Sequence, residues 1–524
     1  MNIKKLLSGA MAFDIDKSLG RVWRGLSPAS KTAFFTAFAA AFFTHLYFFA
    51  SHFINEDSIN YFLRPSADVQ SARWLDNLFL DLRFNYSPPF LIGFLVMLFV
   101  ALAAPFACYV LGVRGKGAAA AVGLFMATFP AIAYTNSYLY AADGYFFGMF
   151  LSVLAVAVTK RFKWGFLPGA VILMLSLACY QAYITVTLGL CVFSLILVCL
   201  DEASAPRAAL SRLWRYLALG GLGVGLYYVS VRVTTALSGV ELLDYKGISD
   251  MGKISLGELP RQILSAYTQT LGMLRGRFYP MPLAVKLIVA LVGLISLALI
   301  VRVIVTRGLY RKPLSLIAVF ALLALSPLAF HAIPVLMPQA DFTMLLVYGF
   351  VTPFLFAAAL ADAFGLPKLL RSASLAALIA LALYHGTVTE VYYHRVSTFN
   401  TRTFALNERI LARMEPLLEH SPQRRVALLG PLRNEYYDSA AHRFENIFTG
   451  FDQGYWGPFI GMNSASDDVT RKFVNYADSF FGMRLERATP EEIETLTALS
   501  ADMPVWPEEG SVAVIDGVIV VNLQ

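Results

Sequence analysis

The chain has 524 residues, of which 57% are hydrophobic and 15% are charged, and its mean hydropathy is +0.61. Soluble domains carry about 25% charged residues, so this composition excludes a wholly soluble protein and indicates a chain solvated largely by lipid. The net charge of +7 fits cytoplasmic loops and lipid headgroups, and it does not indicate nucleic-acid binding.

Candidate membrane spans follow one another along most of the chain, after a basic N-terminal segment (1–30) that is predicted to be a cytoplasmic interfacial helix. A helix needs about 20 apolar residues to cross a bilayer. About eleven stretches approach that length, and they predict a membrane domain over 31–395. They are 31–52, 88–112, 117–136, 142–159, 165–182, 184–200, 213–236, 281–301, 314–333, 342–363 and 373–394.

The distribution of Lys and Arg predicts the orientation of these spans, because cytoplasmic loops are enriched in basic residues. If the N-terminus is cytoplasmic, the basic clusters near 4–24, 114–116, 160–163, 207–215, 302–312 and 368–371 all fall on the cytoplasmic side. An odd number of spans then places the C-terminus outside.

The two long outer loops contain helical patterns of their own. In 68–83, Leu75, Leu78, Phe79 and Leu82 share one face, and 255–278 carries a second apolar stripe. Helices of this kind lie flat at the membrane surface, so they are predicted to wall a cavity at the outer leaflet.

The segment 396–524 has the composition of a soluble domain. It begins with an amphipathic pattern, continues with an apparent strand at 424–430, and ends in "SVAVIDGVIVVNL" (511–523), which predicts two strands around an Asp-Gly turn. These features predict a small α/β domain outside the membrane.

An adjacent acidic pair, Glu56 and Asp57, follows the first span directly. One interpretation is a solvated loop start. The other is a general base at the interface, where one carboxylate accepts the proton of an incoming hydroxyl and the other holds a substrate. The sequence leaves open which of the two is the base.

Basic residues in the outer loops are the second group of candidates. Arg64 and Arg73 lie in the first loop, and Arg275 and Arg277 lie in the second. Each can be an interfacial anchor or a surface charge. Each can also bind a phosphate, and by charge and position Arg73 is the first choice and Arg277 a weaker second.

Four further residues at outer span ends are candidates for binding sugar or acceptor, namely Asp143, Tyr180, Gln181 and His331. Each also has a structural explanation, since Asp143 can be a loop aspartate, Tyr180 an interfacial tyrosine and His331 a structural histidine. Gln181 is harder to explain in this way, because an amide inside a span needs hydrogen-bond partners. The sequence shows neither a P-loop, a dinucleotide fingerprint nor zinc-ligand spacing. No cofactor is therefore indicated, although a divalent metal stays possible.

Three short stretches, "NEDSINYF", "SARWLDNLF" and "LACYQAYITV", occur in an order and placement that resembles the type II glucosyltransferases of bacterial O-antigen modification. These are polytopic enzymes of the GT-C architecture. The resemblance covers roughly 30–400, and the tail 396–524 departs from it.

The resemblance implies transfer of a hexose, typically glucose, from an undecaprenyl-phosphate donor to O-antigen or another lipid-linked glycan. It implies an inverting single displacement on the periplasmic face of the bacterial inner membrane, with an acid of the first outer loop as the base. Here that acid is Asp57 or Glu56. The phosphate of such a donor is predicted to be bound by Arg73, with Arg277 as a weaker second and Arg64 and Arg275 as further candidates.

Other function classes remain open. A lipid-linked sugar flippase or transporter predicts mid-membrane charges and two related halves, which the sequence hardly shows. Two further alternatives are a GT-C transferase of another sugar or group and a structural subunit of an envelope complex. The sequence alone distinguishes them poorly from a glucosyltransferase.

Overall fold

The structure is a computed structural model that describes residues 24–51, 53, 67–201, 206–242, 257–338, 343–365, 367–421, 423–430 and 465–523. Most of the predicted N-terminal interfacial helix lies outside these ranges. So do three candidate residues, namely Glu56, Asp57 and Arg64.

The first half of the chain is a bundle of helices. In chain order they are α1 (Pro28–Ala50), α2 (Ala67–Gln70), α3 (Asp76–Leu82), α4 (Pro89–Leu111), α5 (Lys116–Thr128), α6 (Ala131–Asn136), α7 (Ala142–Arg161), α8 (Phe166–Cys179) and α9 (Ile184–Leu200). Single 3₁₀ turns, Leu139–Ala141 and Gln181–Tyr183, precede α7 and α9.

The second half continues the bundle and ends in a sheet. Its helices are α10 (Pro206–Ser238), α11 (Leu259–Leu274), α12 (Leu283–Thr306), α13 (Pro313–Phe330), α14 (Ile333–Leu336), α15 (Thr352–Ala363) and α16 (Lys368–Met414). The sheet region contains β1 (Arg425–Leu429), α17 (Ser466–Phe481), β2 (Glu486–Arg487), α18 (Pro490–Leu499), β3 (Val512–Ile515) and β4 (Val518–Asn522).

Nine helical segments of the described chain are long and apolar enough to cross a membrane. Two shorter apolar helices, Phe166–Cys179 and Tyr348–Ala363, lie where two further spans were predicted. The protein is therefore a polytopic membrane protein. The total of eleven spans stays a prediction, because the two shorter helices fall below the roughly 20 residues that cross a bilayer.

Small residues let the first helices pack closely. Ala29, Ala33, Ala37 and Ala41 recur every four residues along α1 and are all buried. A Cβ on Gly123 of α5 would come within 2.6 Å of the Ala33 carbonyl oxygen, so the two backbones nearly touch. Without a hydrophobic force between helices in lipid, this close packing supplies much of the stabilisation.

The two ends of the bundle differ in chemistry. At one end Asp362 accepts from the backbone N–H of Arg114 (2.7 Å) and from the Arg371 guanidinium (2.5 Å), and Arg307 pairs with Asp201 (2.8 Å). We call this the basic end. We call the opposite end, where α1 ends and α4 begins, the site end.

Helix α16 is one continuous helix of 47 residues, so the domain boundary predicted at 395/396 falls inside it. Neither Gly nor Pro occurs between Gly386 and Pro416, and nothing in that stretch ends the helix. A helix of this length spans about 70 Å, more than twice the hydrocarbon thickness of a bilayer. Its last turns therefore project beyond the bundle.

The far end of α16 carries a four-stranded sheet of order β2-β1-β4-β3. Strand β1 is parallel to β2 and β4, and β3–β4 is the hairpin predicted from the sequence. Its turn places Asp516 and Gly517 at φ values of 50° and 76°, the positive values that a tight hairpin turn requires. Arg413 of α16 lies 4.6 Å from the Trp506 ring and donates to the Pro507 carbonyl, which joins helix and sheet.

Candidate functional site

A short segment between α2 and α3 positions Arg73 at the site end. The backbone N–H of Leu75 donates to the carbonyl of Ala178 at the end of α8 (3.1 Å). The neighbouring Trp74 indole donates to Ser230 of α10 (3.1 Å). Because Trp74 and Leu75, the two residues after Arg73, are bonded to different helices, Arg73 is held in a defined place.

The Arg73 guanidinium lies over two stacked tyrosines. The rings of Tyr145 and Tyr180 are 4.3 Å apart and nearly parallel, and the guanidinium carbon is 5.4 Å and 4.9 Å from their centres. Arg73 also donates to the Tyr145 hydroxyl (2.5 Å) and to the Gln181 side-chain oxygen (3.4 Å). Cation–π contacts of this kind stabilise by about 0.5–2 kcal/mol and fix the plane of the guanidinium.

Gln181 completes this group. Its side-chain N–H donates to the Ser71 carbonyl (2.8 Å) and to the Tyr227 hydroxyl (2.9 Å), and Tyr227 donates in turn to the Ala72 carbonyl (3.0 Å). The amide therefore has the partners that its place at a span end demands. We call Arg73, Tyr145, Tyr180, Gln181 and Tyr227 the Arg73 cluster.

A buried ion pair lies nearby. Arg83 donates to the Asp143 carboxylate (3.0 Å), and their side chains are 5% and 0% exposed. Arg83 also donates to the carbonyls of Tyr140 (2.7 Å) and Tyr86 (2.6 Å), and the backbone N–H of Gly144 donates to Asp143 (3.1 Å). Asp143 was predicted to bind the sugar or the acceptor. Its observed contacts instead hold the first outer loop to α7.

A second buried carboxylate, Asp76, lies against the backbone of Gly144. A Cβ on this glycine would come within 1.7 Å of the Asp76 carboxylate oxygen. Asp76 begins α3 and is fully buried, three residues after Arg73. We call Asp76, Asp143 and Arg83 the carboxylate cluster, and the segment 73–76 joins it to the Arg73 cluster.

We expect Gly144→Ala to reduce activity severely, because the added methyl group would force Asp76 and the segment that carries Arg73 away from α7. Gly293→Ala is the matched control, since Gly293 also lies inside a membrane helix and has open space around its Cβ position. The measurement is the sugar transfer that the sequence resemblance implies, together with the amount of folded protein in detergent. Equal behaviour of the two variants would contradict the proposed packing.

The remaining candidates lie on other elements. His331 is buried, contacts the Gln269 side-chain oxygen of α11 (2.8 Å) and packs on Phe350, so its observed contacts tie α13 to α11. Arg275 and Arg277 are exposed in the loop after α11. Residues of that loop contact α12 and α16. Arg73 and its neighbour Trp74 instead contact residues of α7 and α10 and the end of α8.

The structure thus brings Arg73, Tyr180 and Gln181 together, as members of one cluster. Sequence reasoning missed Asp76, Arg83, Gly144, Tyr145 and Tyr227. The sequence signal that could have identified Asp76 and Arg83 was their spacing from Arg73, since all three residues lie in the short amphipathic helical pattern of the first outer loop. In the described part of the chain, no group of three or more His, Cys, Asp or Glu could hold a metal ion.

Comparisons with known proteins define the family. The sequence profile of the family described as Glucosyl transferase GtrII matches residues 46–354, more than half of the chain. The matched region includes every member of both clusters. Comparisons with curated proteins and with solved structures gave no match. The chain therefore belongs to the GtrII glucosyl transferase family, and it is a membrane-embedded enzyme of the transferase class.

Proposed function

We propose that the protein transfers glucose from a polyprenyl-phosphate donor, such as undecaprenyl-phosphate-glucose, to a periplasmic glycan such as O-antigen, with inversion at the anomeric carbon. The observation that carries the proposal is the Arg73 cluster, a fixed guanidinium at the end of a membrane bundle. A polyprenyl phosphate presents its phosphate at this depth, and a planar guanidinium matches a phosphate with paired hydrogen bonds.

The general base in this proposal is Glu56 or Asp57. The described chain leaves α1 through Phe53, whose ring lies 5.5 Å from that of Phe48. Glu56 and Asp57 follow Phe53 closely in the sequence. The end of α1 from which they continue is at the site end of the bundle, the end that also carries Arg73.

The chemistry is a single displacement. The carboxylate accepts the proton of an acceptor hydroxyl, whose oxygen forms a bond to the anomeric carbon while the bond from that carbon to the donor phosphate breaks. The phosphate leaves with both bonding electrons. Arg73 stabilises the charge that develops on the leaving phosphate, and such fixed donors typically contribute about 10²- to 10³-fold in rate.

Tyr180 and Gln181 act in this proposal by positioning Arg73, since their observed polar and ring contacts converge on that residue and its segment. Roles of these two residues, of Asp143 and of His331 in binding the sugar or acceptor stay predictions. Arg64 also stays a predicted donor-phosphate residue, whereas Arg277 and Arg275, the other residues predicted for that role, lie in the loop after α11.

The proposed location is the bacterial inner membrane with a cytoplasmic N-terminus and the sheet region in the periplasm. The contacts among Arg114, Arg371 and Asp362 support this orientation, because they gather basic residues from separate loops at one end of the bundle. The helix α16 then carries the sheet away from the opposite, periplasmic face.

The proposal is tested by Arg73→Ala in purified protein supplied with a short-chain polyprenyl-phosphate-glucose and an O-antigen lipid. We expect donor KM to rise at least tenfold, because a hydrogen bond from a charged group contributes about 1.5–3 kcal/mol, while acceptor KM changes little. Arg73→Lys should recover only part of the loss, since lysine lacks the planar fork.

Arg232→Ala is the matched control, because Arg232 is an exposed arginine of α10 whose side chain bonds to Tyr228 on the same helix. An unchanged donor KM in Arg73→Ala would remove this residue from the phosphate site. Movement of the donor across a vesicle membrane without any transfer would support the flippase alternative instead.

A further inference from the structure

The turn between α11 and α12 has three basic residues around it, Arg275 and Arg277 in the turn and Lys286 in the first turns of α12. Gly276 in this turn has a φ of 81°. The Lys286 side chain comes within 3.5 Å of the Cβ position of Gly276, and the Arg277 side chain comes within 3.5 Å of that of Gly272 in α11. Arg275, Arg277 and Lys286 are all exposed. We call these three residues the basic loop. Three positive side chains beside one turn suit an anionic ligand.

The basic loop is held firmly rather than left to solvent. Tyr279 is buried, and its hydroxyl lies 3.1 Å from His385 of α16. Tyr384 of the same helix donates to the Pro280 carbonyl (2.5 Å). These contacts fix the turn directly after Arg277, which preorganises its cations for binding.

The basic loop lies at the site end. The helix that follows it, α12, ends at the basic end where Arg307 pairs with Asp201, so its first turn is at the opposite end. The three cations therefore run against the general enrichment of basic residues on the cytoplasmic side.

Exposed leucines flank the cations on both sides. Leu271 and Leu274 precede them on α11, and Leu283 and Leu287 follow them on α12, with Leu283 72% exposed. These apolar side chains face lipid in a membrane protein of this kind. A ligand that satisfies both features is an amphiphile, with an anionic headgroup and an apolar chain.

We propose that the basic loop binds the phosphate of the lipid that carries the acceptor glycan, separately from the donor phosphate at Arg73. This rests on the proposed function. The loop is tied to α12 and α16, and the Arg73 cluster to α7, α8 and α10, so each lipid has its own cation site. Three cations suit a diphosphate, which carries more charge than the single phosphodiester of the donor.

The test is binding to the purified full-length protein in lipid nanodiscs. The probes are farnesyl diphosphate, farnesyl monophosphate and inorganic diphosphate, and the variant is Arg275→Gln/Arg277→Gln/Lys286→Gln. Arg261→Gln is the matched control, since Arg261 is an exposed arginine at the other end of α11. We expect the triple variant to bind farnesyl diphosphate at least tenfold more weakly, and the control to match the wild type.

Inorganic diphosphate should bind the wild type more weakly than farnesyl diphosphate, because it lacks the chain that the leucines contact. Equal binding of farnesyl diphosphate by the wild type and the triple variant would overturn the proposal, as would an equal loss in Arg261→Gln. The binding result does not require transfer, so it separates this proposal from the proposed function. In active protein, the triple variant should raise acceptor KM and leave donor KM unchanged, and the reverse would overturn the assignment to the acceptor.

Discussion

The double variant Glu56→Gln/Asp57→Asn is expected to lose sugar transfer by about 10²- to 10⁴-fold, the range that a positioned general base contributes. Both substitutions keep the shape of the side chain and remove its ability to accept a proton. The folded protein should reach the membrane in normal amount. The measurement is the initial rate with saturating polyprenyl-phosphate-glucose and O-antigen lipid.

Glu508→Gln/Glu509→Gln is a matched control for this double variant, because it neutralises a second pair of adjacent acidic residues, which is exposed in the sheet region. The single variants then identify the base, since the variant that removes it should show nearly the whole loss. Wild-type rates in both single variants and in the double variant would rule out the acidic pair and direct attention to Asp76. Asp76 is a carboxylate of the same outer loop, and its backbone N–H donates to the Arg73 carbonyl (3.0 Å).

The helices were predicted well because their signal is local. Apolar runs of sufficient length fixed the spans, and the Asp-Gly turn fixed the β3–β4 hairpin without any long-range information. Arg73 was predicted only as a residue of the first outer loop, and its hydrogen bond to Gln181 is a finding of the structure.

The partners of the buried charges could not be predicted in the same way. Arg83 and Asp143 are sixty residues apart in the chain, and only the packing of α3 against α7 brings them together. The contact between Asp76 and Gly144 has the same origin. A lone aspartate at a span end is equally compatible with a substrate contact and with an ion pair, and the choice depends on a neighbour that the local sequence does not reveal.

Segment 73–83 therefore has two functions in one stretch of chain. Its first residue presents a guanidinium on the Tyr145–Tyr180 stack, and its last binds Asp143 in the interior. Because Asp76 and Asp143 meet at the backbone of Gly144, a disturbance of the buried pair should be transmitted to Arg73. Stability and the proposed binding of the donor phosphate by Arg73 are then coupled through the carboxylate cluster.

This coupling makes Asp143→Ala the most informative stability variant. Removing one partner of a buried ion pair leaves the other charge unpaired and costs about 3–5 kcal/mol. We expect a clear drop in the thermal unfolding temperature of Asp143→Ala in detergent, and a similar drop for Arg83→Ala. The double variant Arg83→Met/Asp143→Leu should recover part of the stability, because apolar pairs of similar volume often replace buried ion pairs at little cost. The remaining loss comes from the carbonyls of Tyr140 and Tyr86, which no longer accept from Arg83.

Transfer by the same variants separates the two interpretations of Asp143. If its role is to hold the first outer loop to α7, the double variant should regain activity together with stability, since Arg73 returns to its place. If Asp143 instead binds the sugar or the acceptor, the double variant should be stable and inactive, and Asp143→Asn should lose transfer with little change in unfolding temperature. Recovery of both properties in the double variant is the result expected from the observed geometry, in which the carboxylate is fully buried and bonded to Arg83.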